Sequence, residues 1–468
     1  MKKNNHMVGI CATVFVLMVI GVVWYLLFGY RIVPRLKLNE TSKVQADKPL
    51  LDISNIDEAY DAILNKSTNN FIGSHPIDES FLGWFTGNYS VEAVENIAAY
   101  AELDNADIWY DVSGSSIHVL WYNYCAQTGL QDSIDERIVE KKCDSSYQTV
   151  LTFTGDFSLA EGVGTTSYFH SVGDDLTQCI DGTLLNEMNA SDITVVNNEC
   201  TYSTRGTPLV GKDYLFRADP KTAENLKVMG TDVVGLANNH VYDYGSVGLL
   251  DTLENVQKLD LPVIGAGKNI KEASEPIYFI ANGKKIAIVA ATQIERSTKY
   301  TKEATEDSPG VLKTLHPEKY LSAIAQAKKN ADYVICFVHW GTEGTHQYGV
   351  DQYTLAKSFV EAGADAIIGG HTHCLQGVDM IQGVPVYYSL GNFYFSQESE
   401  MPSDYDTAMT QLIIESDGSI QTKLVPCHFS AGKLSLVKEQ SQFQQIIGDV
   451  NSYSDHAKLD ENGYLVEQ

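Results

Sequence analysis

The chain has 468 residues, with 33 Lys plus Arg against 60 Asp plus Glu and a formal net charge of −27. That length calls for two or three folded units, and 44% apolar with 20% charged residues is a globular composition. The acidic balance excludes a general nucleic-acid binder and a polybasic membrane-surface protein, because both need clustered Lys and Arg.

Residues 1–6 precede a run from Met7 to Tyr30 that carries no charge over 24 positions. About 20 apolar residues cover a bilayer core, so this run is expected to be a single-pass transmembrane helix. Trp24, Tyr25 and Tyr30 gather at one end, as an interfacial belt would. The following FGYRIVPRLKL has no small-x-small cleavage site, which favours an uncleaved anchor over a removed signal peptide. Lys2 and Lys3 lie before the run, but Arg31, Arg35 and Lys37 lie after it, so local charge leaves the orientation open.

Residues 31–50 read as a linker and 51–148 as a small α+β accessory region. A capped helix is expected from Ser90, with Val91, Val94, Ile97 and Ala98 on one face. A hairpin is expected from 107–112 and 117–122 around Ser113-Gly-Ser-Ser. His75 and His118 stand alone and suggest no site. Glu40 to Asp135 holds 16 acids against three lysines, so this segment carries nearly half of the net charge. Cys125, Cys143, Cys179 and Cys200 could pair in an oxidising compartment or remain buried thiols, and no C-x-x-C suggests zinc.

From residue 149 the pattern changes to apolar runs that end in polar residues or glycine: 150–156, 192–199, 232–240, 261–267, 285–292, 333–341 and 365–373. Helical patterns lie at 220–229, 248–257, 317–327 and 351–361. This alternation predicts βαβ units with largely parallel, buried strands. Asn282-Gly283 and Gln382-Gly383 mark hairpin turns. Short strands follow near 409–415 and 420–427. The domain is drawn as 149–432, with 433–468 as a polar tail.

Five of these runs end in groups that can bind a metal: Asp156; Glu199; Asn239 with His240; His339; and His371 with His373. Sites in α/β sheets form at the carboxyl ends of strands, so these residues should converge. The mixed nitrogen and oxygen set suits one or two divalent ions, Mn, Fe or Zn, better than Ca. No G-x-S-x-G elbow is present, and Gly206–Asp213 fails as a phosphate loop because Asp213 stands where Ser or Thr is needed. That stretch reads as a loop.

The series TGD, NNE, ANNHVYDYG, VHWGTE, GGHTHCLQG and YYSLGNFYF resembles the CapA-type poly-γ-glutamate capsule biosynthesis proteins, of the metallophosphatase-like superfamily. The resemblance spans about 149–395. It implies a four-layer α-β-β-α sandwich and an anchored, extracytoplasmic domain in the cell membrane. It also implies that Asp156 and His373 hold a first metal, that Asn239, His339 and His371 hold a second, and that Glu199 bridges them. His240, oriented by Asp243, would protonate a leaving oxygen, while Asn238, Trp340, Glu343, Gln376 and Asn392 would contact substrate. Cys374 would be a soft contact or a packed thiol. Ser158 stands where active phosphoesterases of the superfamily carry His, and Glu199 replaces the usual Asp. Two functions follow. One is a metal-dependent phosphoesterase-like hydrolase or transferase acting on an anionic polymer or envelope precursor. The other is a non-catalytic scaffold beside membrane-embedded components of polymer synthesis and export.

Overall fold

The computed structural model describes residues 55–66, 71–72, 75–100, 107–130, 137–395 and 404–467. The proposed anchor at 7–30 and the linker at 31–50 lie outside them. Among the described residues no helix is long and apolar enough to cross a membrane. The chain divides into two compact units: residues up to 117 except 73–75, and residues 73–75 with everything from 118 onward.

Apart from the two-residue strands Phe71–Ile72 and His75–Pro76, the described elements of the first unit are helices: Ile56–Lys66, Glu79–Asn88, Val91–Tyr100 and Asp107–Ser113. Asp78 caps the second of these, its Oδ1 accepting from Phe81 N–H at 2.9 Å. Phe85 stacks on Tyr89 at 4.6 Å and meets Trp109 edge-on at 5.2 Å. The helix at 91–100 forms as expected, and Val94, Ile97 and Ala98 are buried, but Val91 is exposed.

The expected hairpin is not there: 107–113 is a helix and Ile117–Thr128 is another. Ile117, His118, Val119, Leu120 and Trp121 are buried in an unbroken run, followed by Tyr124 and Cys125. Such a run fits a buried strand as well as a buried helix, so the β-propensity of Trp, Tyr and Val misled the reading.

Two sheets build the second unit. The strands are β1 (Ile138–Glu140), β2 (Gln148–Phe157), β3 (Ile193–Asn198), β4 (Val233–Gly235), β5 (Val263–Ile264), β6 (Ile277–Ala281), β7 (Lys284–Thr292) and β8 (Tyr333–His339). They continue with β9 (Ala366–Gly370), β10 (Val378–Ile381), β11 (Val384–Tyr387), β12 (Asn392–Tyr394), β13 (Asp404–Glu415), β14 (Ile420–Ser430) and β15 (Lys433–Leu436). One sheet runs β10-β11-β9-β8-β7-β6-β1, and the other β15-β14-β13-β2-β3-β4-β5 with β12 also on β2. The centre of each is parallel: β7-β8-β9 in the first, β2-β3-β4 in the second. Asn282 (φ 48°) with Gly283 (φ 70°), and Gln382 (φ 53°) with Gly383 (φ 81°), turn the two expected hairpins through the left-handed region.

Strand periodicity of two sorts the core. Tyr333, Ile335 and Phe337 of β8 face the other sheet, where Phe337 meets Phe153 of β2 at 5.6 Å. Val334, Cys336 and Val338 face the helices Glu318–Asn330 and Val350–Ala362. On the second sheet, Val196 and Val234 pack under the helices Gly182–Asn189 and Gly245–Gln257. The layers are therefore helix, sheet, sheet, helix.

Two boundaries move. Residues 118–148 belong with the large unit, because β1 pairs in parallel with β6 at the sheet edge. The polar 433–467 segment folds with the domain: β15 pairs with β14, and Ile446, Ile447 and Val450 of the helix Gln440–Ser452 enter the core between the sheets. These spaced apolar residues are what fold it down. The four cysteines considered for pairing are free thiols.

Candidate metal centre and its acid partner

Every strand-end residue singled out above reaches one edge of the sandwich. Asp156 lies near the end of β2, Glu199 follows β3, His339 closes β8, and His371 and His373 follow β9. The run 232–240 stops being a strand at Gly235. There Asn238 Oδ1 accepts from the N–H groups of His240 (3.1 Å) and Val241 (3.0 Å), and this side-chain turn replaces the ladder and throws Asn239 and His240 inward.

The turn after β9 is as unusual. His371 (φ 94°) and His373 (φ 60°) both occupy left-handed backbone, which non-glycine residues adopt at a cost. Gly370 before them has no space for a side chain, since a Cβ would lie 2.8 Å from Asp156 Oδ1.

At the centre, His339 Nε2 lies 2.8 Å from Asn239 Oδ1, 3.2 Å from His371 Nδ1 and 3.3 Å from Glu199 Oε1. Asp156 Oδ1 is 3.8 Å from His339 Nδ1, and its Oδ2 is 3.7 Å from His373 Nδ1. The ligand atoms fall into two sets sharing Glu199: Asp156-Glu199-His339 and Glu199-His371-His373. Glu199 is common to both sets, while Asp156 goes with His339 and His371 with His373.

These groups fit a divalent cation. Both Glu199 oxygens are buried without a hydrogen-bond partner, and a buried orphan carboxylate is costly unless a cation completes it. Burial pushes the Glu199 carboxyl up to about 8. Burial, with Glu199 nearby, raises Asp156 to about 6. Burial also lowers His339 to about 4 and depresses His371, leaving both rings neutral and able to ligate. His373 is raised, because Glu199 and Asp156 outweigh its burial.

Beside this cluster stands a second one, fully paired. His240 Nδ1 lies 2.8 Å from Asp243 Oδ2, within hydrogen-bond distance. Asp243 Oδ2 also accepts from Phe216 N–H at 2.7 Å, and its Oδ1 accepts from Lys212 Nζ at 2.6 Å. The Phe216 ring covers His240 at 4.1 Å. His240 Nε2 faces Glu199 Oε1 at 4.0 Å. Burial, with Lys212 nearby, lowers the His240 pKa, and burial lifts Asp243 to about 7 against the pull of Lys212.

The five expected substrate contacts divide. Glu343 lines a cavity of about 670 Å³ beside His240 and His373, along with Tyr214, Phe216 and Tyr453. The other four do not line it. Trp340 is buried and donates Nε1–H to Tyr388 O at 2.8 Å. Gln376 is buried and donates to Thr345 O at 2.8 Å, while Asn238 holds the turn already described. Asn392 Oδ1 lies 2.7 Å from His373 Nδ1 and orients that ring. Of these four, Asn392 touches a ligand-type side chain and Asn238 shapes the turn that carries Asn239 and His240. Cys374 is half-buried on the cavity wall, 3.7 Å from Thr372 Oγ1.

Sequence reasoning missed Lys212 and Asn197. Asn197 Nδ2 donates to Asp156 Oδ1 at 2.8 Å, and its Oδ1 accepts from Asn238 at 3.0 Å, tying the first motif to the third. Its place in a buried strand one position from the NE pair was the available signal. Lys212 had none, since the 206–213 loop is a loop and only folding brings its amine here.

The model of the family described as bacterial capsule synthesis protein PGA_cap matches residues 150–397, which include every residue of the cluster. The chain belongs to this family. Among PGA_cap relatives, it is 32% identical over 258 residues to the capsule biosynthesis protein CapA of Bacillus anthracis, covering 53% of this chain and 61% of that one. The PGA biosynthesis protein CapA of Bacillus subtilis (strain 168) is 33% identical over 280 residues, covering 59% of this chain and 72% of its own. The match thus spans about three-fifths to three-quarters of these relatives. A solved 5'-nucleotidase from Candida albicans SC5314 aligns at 10% identity with a TM-score of 0.33, covering 61% of this chain and 53% of its own. That similarity is too slight to bear on function.

Proposed function

We propose that this PGA_cap chain is a membrane-anchored, extracytoplasmic component of capsule or related surface-polymer synthesis whose site binds divalent metal and acts on a phosphoester of a polymer or envelope precursor. The observation that carries this reading is the orphaned, fully buried carboxylate of Glu199 among neutral imidazoles. The uncharged run at 7–30 supports the anchor, and the two-sheet layering supports the metallophosphatase-like comparison. Membrane-embedded synthesis or export proteins are the proposed partners.

Asp156, Glu199, Asn239, His339, His371 and His373 would hold one or two ions of the Mn, Fe or Zn class. Such an ion supplies Lewis acidity toward a phosphoryl oxygen. His240 presents Nε2 to the site, with Nδ1–H committed to Asp243. Burial keeps that ring neutral without ligand. An anionic phosphoryl group beside it favours the charged ring, so with substrate bound the ring would take a proton from solvent and Nε2 would give it to the leaving oxygen. The test is metal analysis of the full chain purified in detergent, with assay on a model phosphodiester. Stoichiometric metal and turnover, both lost in His371→Ala, are expected. No stoichiometric metal after reconstitution with Mn²⁺ and Zn²⁺ would sink the proposal.

One observation favours the non-catalytic alternative. Ser158 is buried and its Oγ accepts from Ala160 N–H at 3.3 Å, so a position that would carry a ligating His is used for local structure. Bound metal without turnover, together with membrane-protein crosslinks in cells, would select that reading.

A further inference from the structure

Lys212 lies at the junction of three segments. Its side chain is only 8% exposed, and Nζ donates to Asp243 Oδ1 at 2.6 Å and to the carbonyl of Asn239, and lies 3.2 Å from Glu295 Oε1. The same Asn239 carbonyl accepts from Thr301 Oγ1 at 2.9 Å. Two side chains from separate loops therefore grip one backbone oxygen. That oxygen belongs to the residue whose side chain reaches His339, and it precedes His240. The 209–216 loop adds Leu209 N–H to Asp243 O at 2.9 Å and Phe216 N–H to Asp243 Oδ2 at 2.7 Å.

We propose that Lys212 is a positioning residue for the Asn239–His240 pair: by clamping the Asn239 carbonyl and the Asp243 carboxylate together, it sets the turn that presents the amide oxygen and imidazole to the site. A point charge with several donors and a long, flexible stem suits this task, since it meets a carbonyl and two carboxylates at once. Groups behind metal ligands orient them, and their loss costs about 10- to 100-fold in metal affinity. Thr301 shares the load on Asn239 but does not touch Asp243, so its removal should act in the same direction and more weakly. The inference rests on the metal-binding reading for its effect on affinity, but not for its effect on the turn.

The experiment compares the full chain with Lys212→Met, Thr301→Val and Thr301→Ser, reading Mn²⁺ affinity by calorimetry and hydrogen exchange of 238–243 in metal-free protein. Lys212→Met should bind Mn²⁺ about tenfold or more weakly and exchange faster at 238–243, with the strands of both sheets unchanged. Thr301→Val should show a smaller loss of both, and Thr301→Ser should restore them. Wild-type affinity and exchange in Lys212→Met overturn the inference while leaving the metal reading intact. If the wild-type chain binds neither Mn²⁺ nor Zn²⁺, the metal reading falls, and the exchange comparison alone decides whether Lys212 holds the turn. If Lys212→Met does not fold, the Thr301 pair carries the same test, and unaltered exchange in Thr301→Val then overturns it.

Discussion

The polar atoms around Asp243 and those around Glu199 share one edge of the sandwich but are satisfied by different means. Asp243 accepts from Lys212, Phe216 and His240, so protein groups complete its cluster. Glu199 accepts from nothing, and the imidazoles of His339 and His371 stand 3.2 Å apart beside it. A complete buried network stabilises the fold that holds it, whereas an incomplete one costs stability and needs an outside group. The first cluster therefore reads as framework and the second as a binding site.

Substitutions can break this contrast from either side. The largest effect is expected from Asp243→Ala, which removes the buried acceptor shared by Lys212, His240 and Phe216 N–H and should cost about 3–5 kcal/mol in denaturant unfolding. Metal should come next. Mn²⁺ at a hundredfold excess over its dissociation constant should stabilise the chain by about 2.7 kcal/mol, a gain absent in His371→Ala. A melting temperature indifferent to Mn²⁺ would remove the distinction between the clusters. Glu199→Met should do the reverse of Asp243→Ala, stabilising metal-free protein by about 1–2 kcal/mol while abolishing the response to metal, because it deletes unsatisfied oxygens. Loss of metal-free stability in this variant would mean that Glu199 is part of the framework.

The smallest effect is a pH slope. Glu199 is raised to about 8 and Asp243 to about 7, so in the folded state they keep protons that the unfolded chain has released. Stability from these groups is lost as pH rises towards those values. His339, lowered to about 4, acts oppositely, but only up to the ordinary histidine pKa. Between about pH 6.5 and 8 the raised carboxyls are joined by the raised His373 and opposed by Lys313, lowered to about 8, and metal-free stability should still fall, by about 1 kcal/mol per pH unit. Saturating Mn²⁺ should flatten that slope. Urea unfolding at several pH values measures both, and a rising metal-free curve would contradict the burial of Glu199.

Much of the site was legible because strand ends carry their chemistry in sequence order. Asp156, Glu199, His339, His371 and His373 each close an apolar run, and parallel strands bring such ends to one edge. Positive-φ turns at Asn282-Gly283 and Gln382-Gly383 were legible for a local reason, since few residue pairs accept that backbone. The helices at 107–113 and 117–128 were not read, because aromatic and β-branched residues suggested strands, and an unbroken buried run such as 117–121 does not separate strand from helix. Trp340 and Gln376 sit in the same motifs as the ligands, and nothing in a motif says which side chain turns inward.

The amino-acid order carried the alternation of strands and helices from residue 149 and the ligand-type residues at the run ends, because periodicity and residue type are local properties, while the family was legible only through the resemblance of whole motifs. Only packing surrounded Asp243 with donors and left Glu199 without one, bonded Asn238 into its turn and Asn392 to His373, and brought Lys212 to Asn239 and Asp243. Such outcomes depend on which polar atoms lose water together, and that is settled only when distant segments pack.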